Sequence, residues 1–149
     1  MTTERSLRQR ALGYLARREH SRTELERKLA PHAESAEALA ALLEEFESNG
    51  WLSERRLIDA VVHARRSRYG SRSIVQTLRD KGVASEAAGR AGDELKAGDL
   101  EAARAIWRRK FDGPAANPKE RARQWRFLQG RGFDADVIRK LLRDDQGDE

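Results

Sequence analysis

The chain has 149 residues, of which 30 are lysine or arginine and 25 are aspartate or glutamate, so its formal net charge is +5 at pH 7. It contains no cysteine, which excludes a disulfide scaffold, a cysteine nucleophile and a zinc finger. No apolar run approaches the roughly 20 residues that cross a bilayer, and the start lacks the apolar segment of a secretory signal. We therefore expect a soluble, cytoplasmic protein of about one domain's length.

The charges alternate along the chain in six blocks. Residues 1–30, 51–83 and 103–143 carry net charges of +4, +5 and +8 when Lys and Arg are counted against Asp and Glu. Residues 31–50, 84–102 and 144–149 carry −5, −3 and −4. A positive block followed by a negative one, three times over, indicates an internal repeat.

Apolar residues recur at the three- and four-residue spacing of one helical face, which predicts nine helices and no strand. The predicted inward faces are, in chain order, Leu7, Ala11, Tyr14 and Leu15; Leu25 and Leu29; Leu39, Leu42, Leu43 and Phe46; Leu57, Ile58, Val61 and Val62; Ile74, Val75 and Leu78; a sixth helix that Ser85 opens; Leu100, Ala103, Ile106 and Trp107; Ala122, Trp125 and Leu128; and Val137, Ile138, Leu141 and Leu142.

Capping residues and helix breakers predict where these helices begin and end. Ser21 with Glu24, and Asn117 with Glu120, have the spacing of capping boxes, and Ser53 can cap the fourth helix. The predicted helix ends are Pro31, Gly50, Gly70 and Gly82, for the second to the fifth helix in that order. Turn residues predict a loop over residues 112–118, and the acidic residues 144–149 are expected to be disordered.

The nine helices sort into three triplets, residues 5–52, 53–98 and 99–143. Two features recur between them. Leu78-Arg79-Asp80-Lys81-Gly82-Val83 returns 50 residues later as Leu128-Gln129-Gly130-Arg131-Gly132-Phe133, and an arginine pair ends the first helix of each triplet: Arg17/Arg18, Arg65/Arg66 and Arg108/Arg109. The predicted fold is all-α, with three tandem three-helix repeats in an elongated, curved, solenoid-like chain.

Three segments resemble the RecX family of RecA regulators. They are the stretch from Tyr14 to Ser21 with Glu24-Leu25 and Lys28-Leu29; Gly50-Trp51-Leu52-Ser53-Glu54 with Arg56, Arg65, Gly70, Ile74, Leu78, Lys81 and Gly82; and Phe127-Leu128 with Arg131-Gly132-Phe133. The resemblance covers about residues 7–142. It implies a binding protein that acts on the RecA–single-stranded DNA filament in its helical groove. The expected outcome is inhibition of filament growth, ATP hydrolysis, strand exchange and coprotease activity in DNA repair, recombination and the SOS response, with direct DNA binding in some members.

Arginine is the residue type that grips phosphates and carboxylates with two parallel hydrogen bonds, so basic helix ends are the candidate contacts for DNA or a protein partner. The candidates are Arg17, Arg18, Arg65, Arg66, Arg68, Arg72, Arg108, Arg109, Lys110, Arg123, Arg126 and Arg131. The alternative interpretation of the arginine pairs is exposed helix-end cations that complement the helix dipole and contribute little to folding.

Aromatic residues admit two interpretations, as stacking platforms for single-stranded bases or as core. Trp51, Trp107 and Trp125 lie on or beside apolar stripes, which favours the core for all three. Tyr69 beside Arg68 and Phe111 beside Lys110 are better placed for stacking, because they sit among cations.

The sequence does not indicate a catalytic site, since it contains no nucleophile elbow, no glycine-rich nucleotide loop and no clustered His/Asp/Glu set. His20, His32 and His63 lack metal-ligand spacing and are expected to be surface or capping residues. We therefore expect a monomeric, non-enzymatic binding protein with no cofactor, no metal and no membrane partner. The alternative function is an autonomous helix-turn-helix-like protein that binds duplex DNA without RecA.

Overall fold

The computed structural model describes residues 5–144, and within that range it contains only helices. They are α1 Leu7–Arg17, α2 Arg22–Leu29, a 3₁₀ turn Ala30–His32, α3 Ala36–Ser48, α4 Glu54–Arg65, α5 Ser71–Asp80, α6 Ser85–Lys96, α7 Asp99–Lys110, α8 Pro118–Gly130 and α9 Ala135–Asp144. None of these helices is long and apolar enough to cross a membrane. The predicted acidic tail lies outside the described residues, apart from Asp144, which ends α9.

The helix starts follow the capping residues that the sequence contains. Ser21 accepts from the Glu24 N–H while the Glu24 side chain accepts from the Ser21 N–H, so the predicted capping box of α2 is present. Ser53 and Asn117 cap α4 and α8 as predicted. The capping box predicted for α8 is incomplete, because the Glu120 side chain accepts from the Ala116 N–H and not from the Asn117 N–H. The first backbone N–H groups of a helix have no carbonyl partner within the helix, and a capping side chain supplies an acceptor for one of them. Residues that can cap therefore mark the positions where helices begin.

Two predicted helix ends need correction. Pro31 does not end α2 directly, because the chain continues through a 3₁₀ turn that contains the proline. Gly70 does not end α4, which stops at Arg65; it is instead the N-cap of α5. There its backbone lies against Gly132, and a β-carbon at Gly70 would come within 2.6 Å of the Gly132 carbonyl oxygen.

The buried side chains form three separate clusters, one for each helix triplet. The first runs from Ala11 to Leu52, the second from Leu57 to Ala91 and the third from Ala103 to Leu142. A core divided in this way needs only small numbers of apolar residues per unit, which suits a chain that is 37% charged. We propose that each cluster with its three helices is one repeat, with boundaries at residues 52/53 and 98/99.

A glycine turn joins the third triplet to the second. Two carbonyls of the turn after α8 accept hydrogen bonds from the start of α5. The Gly70 N–H donates to the Arg131 carbonyl at 2.7 Å, and the Arg72 N–H donates to the Gly132 carbonyl at 3.1 Å. Gly132 has φ +97°, and a β-carbon there would lie 2.5 Å from the Ser73 β-carbon. Only glycine satisfies both the backbone angle and the contact.

The second triplet joins the first in the same way, through the turn after α5. The Ser21 hydroxyl, at the start of α2, donates to the Lys81 carbonyl. Gly82 has φ +91°, and a β-carbon there would lie 2.7 Å from the Thr23 β-carbon. The segment that recurs 50 residues later is therefore the part of each triplet that contacts the preceding one. The first triplet has no predecessor among the described residues, and it has Pro31 where the later triplets have this glycine.

The joints can be tested by alanine substitution, because Gly50 provides a matched control. Gly50 has φ +76° but no atom within 4 Å of an added β-carbon, so Gly50→Ala incurs only the left-handed backbone cost of about 1–2 kcal/mol. Gly132→Ala incurs that cost and also displaces Ser73. We expect Gly132→Ala to lower the free energy of unfolding clearly more than Gly50→Ala in urea titrations of the full chain. Equal losses would show that the joint tolerates a side chain.

Candidate binding surface

Three arginines from two triplets surround the ring of Tyr69. The guanidinium carbons of Arg65, Arg131 and Arg68 lie 4.2, 5.4 and 5.9 Å from the ring centroid. Arg131 belongs to the third triplet, and its Nη1 also donates to the Arg68 carbonyl at 3.3 Å. The joint between α5 and α8 thus brings together cations that are 63 residues apart in the chain.

Phe127 continues this arrangement along the third triplet. The Arg131 guanidinium lies 5.0 Å from its ring centroid and the Lys110 ammonium 5.6 Å. Phe111 packs edge-on against Phe127 with centroids 5.4 Å apart, and Arg123 lies 5.8 Å from the Phe111 ring. We name this set the cation–aromatic surface, and its members are Arg65, Arg68, Tyr69, Lys110, Phe111, Arg123, Phe127 and Arg131.

Almost no carboxylate balances these cations. No ion pair involves Arg65, Arg68, Lys110, Arg123 or Arg131 within residues 5–144, and the Nε atom of Arg65 is buried without a hydrogen-bond acceptor. Cation–π attraction to the rings stabilises the charged groups at these positions and does not neutralise their charge. A fixed array of uncompensated donors is suited to phosphates or carboxylates of a binding partner.

Comparison with known proteins decides the family. Residues 97–142 match the family described as "RecX, third three-helix domain". The chain is 46% identical to "Regulatory protein RecX" of Ralstonia nicotianae, over 97% of this chain and 94% of that protein. It is 49% identical to "Regulatory protein RecX" of Leptothrix cholodnii, over 93% and 88% of the two chains. The chain belongs to the RecX family.

Solved RecX structures show the same fold. The crystal structure of RecX from Lactobacillus salivarius superposes with a TM-score of 0.83 at 16% identity, covering 95% of this chain and 96% of that one. A second crystal structure, of "regulatory protein RecX", gives a TM-score of 0.70 at 20% identity, over 93% and 71%. The predicted all-α fold and the resemblance to RecX are both confirmed.

Arg66 differs from the other predicted contacts of this RecX-family chain. Its Nη1 lies 2.6 Å from Oδ1 of Asp99, and its Nη2 donates to the Leu95 carbonyl at 2.6 Å. Asp99 is 1% exposed and also accepts from the Ser71 N–H and hydroxyl at 3.1 and 2.5 Å. The interpretation of Arg66 as an exposed helix-end cation is therefore wrong, since its guanidinium joins the end of α4 to the end of α6 and the start of α7.

The remaining predicted residues are spread over the three triplets. Arg109 donates to the Ser67 carbonyl across the same joint, and Arg18 pairs with Glu24 at 3.0 Å. The arginine pair of α7 is also out of register: α1 and α4 end at the first arginine of their pairs, whereas α7 continues two residues past Arg108, to Lys110. Four further predicted arginines are exposed and lie outside the cation–aromatic surface: Arg17, Arg72, Arg108 and Arg126. Their contact with a partner stays a prediction.

The tryptophans divide between the two interpretations. Trp107 is 5% exposed and donates to Gln124 at 3.0 Å, and Trp125 packs partly buried against the third core cluster, so the core interpretation holds for both. It is wrong for Trp51, which is 42% exposed and lies edge-on to Phe46 beside the Arg8 guanidinium. Trp51 follows Gly50, so the apolar stripe of α3 has already ended.

His20 was expected on the surface or as a cap but is 1% exposed. Its Nδ1 donates to the Arg18 carbonyl at 3.0 Å, and its Nε2 accepts from the Lys28 ammonium at 2.8 Å. Burial lowers the pKa of His20, and the positive charges of Arg18 and Lys28 lower it further. Protonation would place a second N–H against an ammonium group, so the native structure favours the neutral ring.

The sequence reasoning missed Phe127 as a ring among cations, and it missed Ser71 and Asp99 as partners of Arg66. Phe127 could have been found from its spacing, because it is four residues before Arg131 on the same side of a helix. The Asp99 contacts join three helices, and nothing in the local sequence indicates them. No group of three or more possible metal ligands is found within residues 5–144.

The Arg66–Asp99 pair yields a stability prediction. Arg66→Ala leaves the Asp99 carboxylate buried with its charge unpaired, which typically lowers the free energy of unfolding by about 3–5 kcal/mol. Arg55→Ala is the matched control on the same helix. Its ion pair with Asp59 is exposed, and its loss is expected to change stability by less than about 0.5 kcal/mol. Chemical unfolding that ranks the two variants equally would contradict the role given to Arg66.

The pH dependence of stability tests His20. Because the folded pKa lies below the ordinary value of 6.5, the unfolded chain takes up the proton first as the pH falls. The contribution of His20 is therefore full above about pH 6.5 and declines from there down to the folded pKa. We expect His20→Asn to remove this decline and His32→Asn, at an exposed position, to keep it. Urea midpoints between pH 4.5 and 7.5 measure both, and an identical decline in His20→Asn would contradict the account.

Proposed function

We propose that this RecX-family chain regulates RecA by binding the RecA–single-stranded DNA filament in its helical groove. Its relatives are named regulatory proteins, and no catalytic constellation stands out within residues 5–144, so the proposal assigns binding and no reaction. The expected effect is inhibition of filament growth, ATP hydrolysis, strand exchange and coprotease activity, by a cytoplasmic monomer in DNA repair, recombination and the SOS response.

The observation that carries this proposal is the convergence of uncompensated cations from two triplets on Tyr69 and Phe127. A filament presents DNA phosphates and subunit carboxylates at repeated intervals, so several cations can each make a contact at the same time. Contacts that are linked in this way add up in affinity only on a continuous target. The rings also fix the guanidinium groups before binding, which lowers the entropy lost when the contacts form.

The direct test compares three targets at one salt concentration: RecA filaments on single-stranded DNA, free RecA and bare single-stranded DNA. The proposal predicts the highest affinity for the filament. Binding to bare DNA should be weaker and electrostatic, with log affinity falling by about 0.7 per neutralised phosphate for each unit of log salt. Equal affinity for filament and bare DNA would contradict the proposal. RecA-independent binding with strong preference for one duplex sequence would support the helix-turn-helix alternative instead.

The cation–aromatic surface can be tested by charge removal. Arg68→Ala and Lys110→Ala each remove a cation that makes no ion pair within residues 5–144, and each change should weaken filament binding about tenfold or more. Arg68→Lys should restore only part of the loss, because lysine offers a point charge in place of a planar fork.

Arg55→Ala removes the same charge from α4 outside this surface and is expected to bind filaments like the parent. Parent-like binding by both Arg68→Ala and Lys110→Ala would place the filament contact elsewhere on the molecule. Circular dichroism of each variant at the assay temperature checks that the helices remain folded.

A further inference from the structure

A small pocket lies between the first and second triplets. It shares Arg65 with the cation–aromatic surface, and its other lining residues lie outside that surface. Its volume is about 240 Å³, and it opens between the end of α1 and the exposed side of α4 and α5. We call the four aliphatic residues of its lining the floor: Leu57 and Val61 are buried, and Ala60 and Ala64 are exposed. Arg18, Arg65 and Lys81 stand at its rim.

The equivalent positions at the joint between the second and third triplets carry larger side chains. Thr77 and Lys81 line the pocket, and the residues 50 positions later are Phe127 and Arg131. At that joint the Phe127 ring packs on Phe111 and lies beside the Arg131 guanidinium. The short side chain of Thr77 cannot fill the corresponding volume. The two joints therefore share a backbone arrangement and present different surfaces.

The charges at the rim do not cancel. Arg18 is neutralised by Glu24, which lies 3.0 Å away, and the pocket carboxylate Glu19 is engaged by Arg56 at 2.9 Å. Arg65 and Lys81 form no ion pair within residues 5–144, and Arg65 keeps its buried Nε without an acceptor. Lys81 lies within electrostatic range of Glu24, but that carboxylate already pairs with Arg18, so one carboxylate faces two cations. An aliphatic floor next to an excess of positive charge is complementary to an apolar side chain flanked by carboxylates.

We propose that this pocket binds a short acidic segment of a partner protein, with one apolar side chain inserted between α4 and α5. A protein segment fits better than nucleic acid, because the floor offers no ring or guanidinium face on which a base could stack. Aliphatic side chains gain from burial against such a floor, and the carboxylates supply the charge that Arg65 and Lys81 lack. The inference deepens the proposed function, on which it rests for its biological setting, by assigning a protein segment to the pocket that adjoins the cation–aromatic surface at Arg65.

The pocket can be filled without disturbing the core, since Ala64 is exposed. Ala64→Trp is the test variant, and Ala40→Trp, at an exposed position on α3, is the matched control. The probe is a fluorescein-labelled peptide in which Leu-Phe is flanked by Asp and Glu on both sides. Two matched peptides replace Leu-Phe with Ser-Ser, or the acids with their amides. Oligo(dT) is the nucleic-acid probe.

We expect the acidic Leu-Phe peptide to bind the parent and Ala40→Trp, and to lose about tenfold or more in affinity with Ala64→Trp and with either matched peptide. Oligo(dT) binding should stay unchanged in Ala64→Trp. The pocket assignment is overturned if the peptide fails to bind the parent, if Ala64→Trp binds it normally, or if Ala64→Trp weakens oligo(dT) instead. The peptide result does not depend on RecA, so a failure of filament binding by the parent would refute the proposed function alone.

Discussion

The structure depends on one contact made twice, in which a glycine turn of one triplet packs against the N-terminus of the middle helix of the triplet before it. At Gly82 and Gly132 the backbone adopts a positive φ, and Thr23 or Ser73 occupies the space that a β-carbon would need. The three cores are separate, so the relative placement of the triplets rests on these turns and a few side chains such as Arg66 and Asp99. Small local contacts therefore determine which charges of different triplets meet.

The consequence is clearest at the second joint. Packing of the Arg131–Gly132 turn on α5 brings the Arg131 side chain to Tyr69 and next to the cations of α4. Cations gathered in this way repel one another, and few carboxylates are present to relieve the repulsion. The rings of Tyr69 and Phe127 offset part of that cost by cation–π attraction, and the rest favours the arrival of an anionic partner. At the joint between the first and second triplets the equivalent residues are Thr77 and Lys81, and an aliphatic pocket lies there. The repeated backbone arrangement therefore presents two different surfaces.

Local signals in the sequence predicted the local structure well. Ser21, Ser53 and Asn117 begin helices where the capping pattern placed them, because the bonds of a helix cap span only a few residues. The sequence also shows that the segment around Gly82 recurs 50 residues later around Gly132. It does not show that these glycines join the triplets, since the residues that approach them lie elsewhere in the chain. Tyr69 and Phe111 could be predicted as rings among cations from their neighbours in sequence. The contact of Arg131 with Tyr69, the buried state of His20 and the ion pair of Arg66 could not, because each depends on tertiary packing.

Pulsed electron paramagnetic resonance can measure whether the glycine joints fix the triplets relative to one another. The chain contains no cysteine, so single cysteines at the exposed positions His63 on α4 and Ala122 on α8 accept spin labels without background. The inward position predicted for Ala122 is wrong, because α8 buries Gln124 and Leu128 and leaves Ala122 exposed. The account predicts one narrow distance distribution in the parent, and a broad or shifted one when Gly132→Ala is added. A distribution that is broad in the parent, or that stays unchanged in Gly132→Ala, would contradict it.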